Sequence, residues 1–468
     1  MTKGPVAKTC ASALGVALVG LLFLSPAAGF ITSFSGTAEE LPILNSSLGG
    51  GSAQAQMVPG PPGTAYVANE LSGTISVIDT ATSTILKTIC LGSDPAILGT
   101  PQPAGPCNAE TQHHNPFYNG HVGTHGLWLT PDGRVLLVAN RISGTIVAID
   151  TAAVFTPPSP EHPNPAVIGY QPVGREPHLA TVRPPGGREA WVAVRGENYI
   201  DVLRLDRERL FDPGLLDTQR MRSRDFLPTL NGPSMVSFTP DGRFGFVAFG
   251  KAGLVQKIDA EERKTVASQV VPFPFTPFGL VTPDGSELYL IHKLGAGPGL
   301  SSLTVLRTAD LSRVVDAMPL SLVPPNPTGD CGNHVAFVGK FAYITMGGSR
   351  PCAPGGVDRE GKIVIFNRET HTIARELTGP AFTGDPHGIW PTPDGSRLFI
   401  GHERGNRITV LGTGNPNDAM DDVVFGTVTG SPADMAFVKQ PIDVVIAGPV
   451  GVFDAAARPG ERRGQGRN

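Results

Sequence analysis

The 468-residue sequence predicts an all-β fold built from one repeated unit. Glycine (58 residues) and proline (45 residues) are abundant and only 17% of residues are charged, which is typical of short strands joined by tight turns. Between apolar runs, TPDG occurs four times, at 130–133, 239–242, 282–285 and 392–395, with a degenerate copy, RPPGG, at 183–187. A strand, a turn and a second strand recur about every 40 to 60 residues, which is the pattern of propeller blades.

The repeats divide into seven blades. Six first strands are predicted to begin near His125, His178, Ser234, Phe278, His334 and His387. The seventh blade is predicted to mix the two chain ends, with ADMAFV (433–438) as its first strand and the rest in TAYVANELSGTISVIDT (64–80). This mixing pairs edge strands that would otherwise be exposed. The predicted architecture is a seven-bladed β-propeller over residues 63–439, its ring closed by N- and C-terminal strands in one blade.

Both chain ends are predicted to lie outside the propeller. Residues 1–29 carry two lysines, an apolar run at 11–24 and then small residues, the pattern of a cleaved export signal. The run of about 14 residues is short for a membrane span of roughly 20. SAQAQ at 52–56 leaves the cleavage site open, and a retained anchor is an alternative. Residues 30–62 are predicted to be a flexible linker and 440–468 a disordered tail, in a periplasmic, secreted or cell-surface protein without a membrane span after cleavage.

Four cysteines remain once the signal is removed. The most economical of the three connectivities pairs Cys90 with Cys107 and Cys331 with Cys352. A net charge of −4 gives no basic excess, so no nucleic-acid partner is expected. Nucleophile-elbow, zincin, phosphate-loop and covalent-haem motifs are absent from the sequence. We expect a monomer or a homodimer.

The segment TAYVANELSGTISVIDTATSTILKTI (64–89) resembles a repeat of the YVTN family of seven-bladed β-propellers. That family includes exported and surface-layer proteins and part of the nitrous oxide reductase and cytochrome d1 propeller group. The resemblance covers residues 64–438. It implies the fold and says little about activity, because propellers host many unrelated functions.

Nine of the 11 histidines are predicted to share one face of the ring. First strands begin at His125, His178, His334 and His387, with Asp434 at the matching place in the seventh blade. Second strands, aligned on Asn69 and Asn140, end at His292 and His402. The loop before the second blade adds His113, His114 and His121, whereas His162 and His371 fall on the opposite face. Imidazoles crowded in a partly dehydrated funnel repel one another when protonated, and a metal ion removes that penalty.

We therefore predict a metal site at the channel mouth, with His113, His114, His125, His178, His292, His334, His387, His402 and Asp434 as candidate ligands. Copper is the first choice, and zinc, iron and nickel also suit imidazole ligands. The set resembles the multi-histidine copper centres of nitrous oxide reductase and thiocyanate dehydrogenase. This implies that His113 and His114 match their paired histidines. Ser234 and Phe278 at two hub positions, and the lack of a cupredoxin-like domain, depart from nitrous oxide reductase.

Charged residues on the same face suggest a substrate. Arg141, Arg195, Lys293 and Arg404 follow the second strands and would attract a small anion, and Glu70 and Glu403 are candidate proton carriers. The first hypothesis is thus a copper-dependent redox enzyme for a small anion, with a redox partner protein as an alternative. A non-catalytic propeller that binds a protein, glycan or cell-wall partner would instead use its imidazoles only to bond nearby carbonyls. A lactonase-like hydrolase is the third hypothesis.

Overall fold

The computed structural model describes residues 63–92, 107, 117–118, 120–157, 159, 164–212, 220–229, 232–250, 253–271, 278–293, 301–322, 331–348 and 361–447. Within these ranges the strands form seven antiparallel sheets of four strands each. The first strand of each sheet lies nearest the ring axis and is called the inner strand here. Each inner strand contacts the inner strand of the next sheet, all the way around the ring. The predicted all-β seven-bladed propeller is therefore confirmed.

The blades are numbered here from the one that holds β1. Blade 1 contains β1 (Thr64–Asn69), β2 (Thr74–Asp79), β3 (Thr84–Cys90) and β28 (Pro441–Ile446). Blade 2 contains β4 (Thr124–Leu129), β5 (Val135–Asn140), β6 (Thr145–Asp150) and β7 (Val167–Pro172). Blade 3 contains β8 (Pro177–Val182), β9 (Glu189–Val194), β10 (Tyr199–Arg204) and β11 (Arg222–Pro228). Blade 4 contains β12 (Pro233–Phe238), β13 (Phe244–Phe249), β14 (Leu254–Asp259) and β15 (Lys264–Val270).

Blade 5 contains β16 (Phe278–Val281), β17 (Glu287–His292), β18 (Ser302–Arg307) and β19 (Arg313–Pro319). Blade 6 contains β20 (Cys331–Val338), β21 (Phe341–Gly347), β22 (Lys362–Asn367) and β23 (Thr372–Leu377). Blade 7 contains β24 (Pro386–Pro391), β25 (Arg397–His402), β26 (Arg407–Gly412) and β27 (Val423–Thr427). The described helical segments are short: Thr151–Ala153, Arg207–Leu210, Pro380–Phe382, Ala419–Asp421 and Pro432–Met435. Among the described helices, none has the length and apolar character needed to cross a membrane.

The ring closes with strands from both ends of the chain, as predicted, but with a different C-terminal strand. The inner strand of blade 1 is β28, which pairs antiparallel with β1, Ala65 opposite Ile446. The predicted strand at 433–438 is wrong because a helix forms at Pro432–Met435, where the Ser431 hydroxyl accepts the Asp434 backbone N–H. The boundary at 439 and the disordered tail from 440 are therefore wrong for residues 440–447. Residues 448–468, like the predicted signal and linker, lie outside the described residues.

Each TPDG turn is held by its own side chains. In the first copy, the Thr130 hydroxyl donates to Asp132 at 2.7 Å, and Asp132 also accepts the backbone N–H of Arg134 at 3.2 Å. Gly133 takes a φ of 69°, a left-handed conformation that favours glycine. The same hydroxyl-to-carboxylate bond recurs in the other three copies. The motif thus directs the chain from the first strand into the second.

Packing between blades provides the core. The second strands are buried on both faces, and Val135 through Ala139 are fully inaccessible, which explains their continuous apolar sequences. The predicted disulfide between Cys90 and Cys107 is confirmed, with 5.6 Å between the Cα atoms. Cys331 is also disulfide-bonded, whereas its predicted partner Cys352 lies outside the described residues.

Candidate functional site

Bulges in the inner strands aim side chains into the central channel. In six blades the pairing register between the inner strand and its neighbour shifts near the first residues of the inner strand. A bulge rotates a side chain away from the regular alternation of the strand. The shifts in blades 2, 3, 6 and 7 fall at His125, His178, His334 and His387, which we call the hub histidines.

Close approach of adjacent inner strands explains the glycine that follows two of the hub histidines. A Cβ on Gly126 would lie 2.1 Å from the carbonyl oxygen of His178. A Cβ on Gly388 would lie 2.6 Å from the Ile442 carbonyl oxygen. The absence of a side chain therefore lets neighbouring blades meet at the channel mouth.

The hub histidines meet around one small cavity. The ring centroids of His125 and His178 are 4.7 Å apart, as are those of His334 and His387, and the centroids of His125 and His387 are 6.3 Å apart. The cavity has a volume of about 10 Å³, and Asp443, Ile442 and Phe278 complete its wall. A space of this size holds about one water molecule or one ion.

Hydrogen bonds orient two of these imidazoles. The Nδ1 atom of His387 donates to the carbonyl oxygen of Ile442 at 2.9 Å, and that of His125 donates to Glu70 Oε2 at 3.2 Å. Glu70 also accepts from Arg141 at 3.1 Å. In a neutral ring whose Nδ1 carries the proton, Nε2 holds the free lone pair. These two histidines therefore have an Nε2 ready to bind a ligand.

The other two hub histidines differ. Nδ1 of His178 is buried and has no hydrogen-bond partner among the residues that the structure describes. Nδ1 of His334 lies 3.8 Å from Asp443 Oδ1, while the backbone N–H groups of Leu127 and Val444 donate to the Asp443 carboxylate. A buried donor or acceptor without a partner is costly, so Nδ1 of His178 is available to a ligand.

Burial keeps the hub imidazoles neutral. Desolvation, reinforced by nearby cations, lowers the pKa of His125, His178 and His387 well below the usual value and that of His334 to about 3. Burial raises the pKa of Asp443 to about 7. Neutral imidazole is the form that binds a metal ion.

Charged side chains surround the mouth. Arg141, Arg195 and Lys293 are close enough to lower the pKa of His125 by repulsion, after the larger effect of burial. Burial raises the pKa of Glu70 and Glu403, and Glu403 Oε2 lies 3.9 Å from His387 Nε2. The predicted cations are thus brought to the histidine face, with Arg404 beside Asp385 at 3.9 Å.

Other predicted ligands lie elsewhere. His292 and His402 are buried inside their blades, where His292 Nε2 is 2.8 Å from Thr304 Oγ1 and His402 Nδ1 donates to the Thr383 carbonyl at 2.9 Å. His121 lies near Glu70 and lowers its pKa, but it does not line the cavity. On the opposite face, as predicted, His371 Nε2 lies 3.2 Å from Glu287. Predicted positions His113, His114 and His162 lie outside the described residues.

Asp434 is wrong as a hub residue. It belongs to the helix Pro432–Met435, and its carboxylate accepts from the hydroxyls of Thr88 and Ser431. The acidic residue at the cavity is Asp443 on β28, which the sequence analysis missed. The sequence contains a signal for this inner strand: proline begins four of the inner strands, β8, β12, β24 and β28.

Imidazole nitrogen is a common ligand of transition-metal ions, so the spacing of the hub rings can be compared with that of rings bound to one ion. Two imidazoles bound to one ion through bonds of about 2.0 Å hold their centroids about 4.5 to 5.2 Å apart at cis angles and about 6.4 Å apart at trans angles. The observed separations of 4.7 and 6.3 Å match these values. In the described ranges, however, no three His, Cys, Asp or Glu side chains already converge their donor atoms as a metal site requires. Metal binding would therefore need the rings to rotate.

Comparisons with known proteins support the fold. No family model matches the chain, and no curated protein matches it in sequence. Similar solved structures include the periplasmic gluconolactonase of Pseudomonas aeruginosa, at 14% identity and a TM-score of 0.54, covering 82% of this chain and 99% of that one. Hydrazine synthase of Kuenenia stuttgartiensis matches at 17% identity and a TM-score of 0.50, covering 65% of this chain and 80% of that one.

A third similar structure is the β-propeller domain of Cps50 (Swd1) from Myceliophteria thermophila. It matches at 14% identity and a TM-score of 0.50, covering 74% of this chain and 91% of that one. The names of the three proteins have no activity in common. The chain is thus a seven-bladed β-propeller, and the fold alone assigns no activity.

Proposed function

We propose that the hub histidines bind a transition-metal ion, copper in the first instance, in a redox enzyme that acts on a small anion. One observation carries the proposal: four neutral imidazoles from four blades surround a single ion-sized cavity. Imidazole sets without thiolate suit copper, zinc and iron, and among these copper and iron exchange electrons. We also infer that the chain is a YVTN-type propeller exported to an oxidising compartment, in accord with the Cys90–Cys107 disulfide.

Groups behind the ligands support the proposal. A carboxylate or carbonyl that accepts the second N–H of a metal-bound histidine fixes the tautomer and the ring orientation. Glu70 would do this for His125, and the carbonyl of Ile442 would do it for His387. Nδ1 of His178, which has no partner within the described part of the chain, adds a further donor atom.

The charged rim defines the proposed substrate and the proton path. Arg141, Arg195 and Lys293 would hold a small anion over the hub, because converging cations raise the local concentration of anions. When bound, copper would supply one-electron exchange and polarise the anion. Glu403, 3.9 Å from His387 and with a pKa raised by burial, would accept or return a proton beside the hub.

Metal content tests the proposal directly. The protein is loaded with Cu²⁺, dialysed, and analysed by elemental analysis and by electron paramagnetic resonance, with superhyperfine splitting from nitrogen as the expected signature. The triple variant His178→Ala, His334→Ala, His387→Ala should lose the ion, whereas His371→Ala on the opposite face should keep it. Less than about a tenth of an ion per chain, or equal binding in both variants, would rule the site out.

Lactone hydrolysis is the second candidate, favoured by the hydrogen bond between Glu70 and His125, which could activate water without a metal. The assay is hydrolysis of glucono-δ-lactone in the presence of EDTA. Turnover that survives chelation and disappears in Glu70→Gln would favour the hydrolase. Turnover absent under all conditions would exclude glucono-δ-lactone as a substrate.

A further inference from the structure

The channel ends on the TPDG face in a second, larger cavity. Its volume is about 390 Å³, within the range of small-molecule sites. The last residues of the inner strands and the prolines of the turns form its walls, among them Trp128, Trp390, Phe238 and Phe337. It shares no lining residue with the hub cavity. Trp128 lies three positions beyond His125 on β4, a rise of about 10 Å along a strand.

The walls carry no charged side chain. Their hydroxyl groups are bonded within the protein: Thr181 donates to the Val236 carbonyl at 2.7 Å, and Ser237 accepts the Val281 N–H at 2.9 Å. The Thr282 hydroxyl donates to Asp284 within its turn. A charged ligand would find no side chain of opposite charge among these lining residues, so the lining favours neutral ligands.

Two tryptophans add indole N–H donors to the wall of the cavity. Trp128 and Trp390 meet edge to face, with centroids 5.6 Å apart and an interplanar angle of 79°. Both are only partly buried, and neither indole N–H has a hydrogen-bond partner within the described ranges. A tryptophan in an apolar site usually finds an acceptor for its N–H. These two donors therefore need an acceptor brought by solvent or by a ligand.

We propose that this cavity binds a neutral aromatic molecule that carries a carbonyl group. The aromatic body packs against the rings of Trp128, Trp390, Phe238 and Phe337, and the carbonyl oxygen accepts from an indole N–H. The site is independent of the metal site at the other end of the channel.

Nile red, a neutral aromatic carbonyl dye, tests the proposal. The chain has three tryptophans, and the third, Trp191, is fully buried between blades, so Trp191→Phe leaves emission from the cavity pair alone. We expect saturable binding of one dye per chain, with quenching of tryptophan emission, in the wild type and in Trp191→Phe. Methyl 2-naphthyl ketone should displace the dye, whereas 2-naphthoate, similar in shape but charged, should not.

Variants separate this cavity from surface binding. Trp390→Phe keeps a ring and loses the N–H, and we expect dye affinity to fall about 3- to 10-fold. The double variant Trp128→Ala, Trp390→Ala should lose more than tenfold, and Phe425→Ala, at an exposed strand 63% accessible, should change nothing. If circular dichroism shows that the double variant is unfolded, the dye affinity of Trp390→Phe alone tests the proposal. Non-saturable binding, equal displacement by 2-naphthoate, or unchanged affinity in Trp390→Phe would overturn the proposal.

Discussion

Replacement of His292 by asparagine should leave the fold intact and change how stability depends on pH. His292 ends the second strand of blade 5, where blades 1 and 2 carry Asn69 and Asn140. The Asn69 amide donates to the Ser76 hydroxyl at 2.9 Å, and His292 Nε2 lies 2.8 Å from the Thr304 hydroxyl. Both hydroxyls come from equivalent positions of the third strand. Asparagine should therefore make the same bond in blade 5.

The size of the stability difference follows from the pKa of His292. Burial lowers the pKa of His292 to about 4 from 6.5, so between these values the unfolded chain binds a proton that the folded protein does not. The contribution of His292 to stability is therefore complete above pH 6.5 and is lost as the pH falls toward 4. At about 1.36 kcal/mol per pKa unit, the loss is roughly 2 kcal/mol at pH 5 and roughly 3 kcal/mol at pH 4. His292→Asn removes this loss.

Urea unfolding at pH 7.5, 6 and 5, with EDTA present, measures the effect. The wild type and His292→Asn should agree within about 1 kcal/mol at pH 7.5, and the variant should be more stable by roughly 2 kcal/mol at pH 5. His371→Asn, on the opposite face, is the control. If the stability of His292→Asn declines with falling pH as much as that of the wild type, His292 is not a buried neutral imidazole. If the variant loses bound metal, His292 is a metal ligand.

Two further substitutions test the channel mouth. Gly126→Ala places a Cβ 2.1 Å from the His178 carbonyl and should cost about 1 to 3 kcal/mol in urea unfolding, while Gly186→Ala, with nothing nearer than 3.9 Å, should change stability by less than about 0.5 kcal/mol. Equal stability of the two variants would contradict the close approach of blades 2 and 3. Glu70→Gln should lower copper affinity about 10- to 100-fold in equilibrium dialysis. Glu197→Gln is its control, at a half-buried glutamate that pairs with Arg175, and an unchanged affinity in Glu70→Gln would remove Glu70 from the site.

The fold could be predicted because its signals are local. Every TPDG motif contains the threonine, aspartate and glycine that build its turn, so the inner strands of blades 2, 4, 5 and 7 begin within a few residues of the predicted starts. The inner strand of blade 1 depends on pairing between β28 and β1, which lie at opposite ends of the chain. Residues 433–438 have apolar character suited to a strand, but the cap at Ser431 and Pro432 begins a helix there.

The site could be predicted only in part. The repeat indicates which strand ends share a face, and this was enough to predict that His125 and His387 lie at the same opening. It does not indicate which side chains point into the channel. That choice depends on bulges, which occur in the inner strands at the mouth, whereas His292 and His402 lie on second strands and face into their blades. Asp443 was missed together with the strand that carries it.

Two of the three blades without a hub histidine, blades 4 and 5, border the arc of imidazoles. Phe278 of blade 5 stacks on the His334 ring, with centroids 4.0 Å apart and an interplanar angle of 24°, so it limits the rotation of that ring. Ser234 of blade 4 is small, and its hydroxyl accepts the Gly250 N–H at 3.1 Å. The imidazoles therefore occupy an arc closed by an aromatic ring at one end and bordered by a small residue at the other.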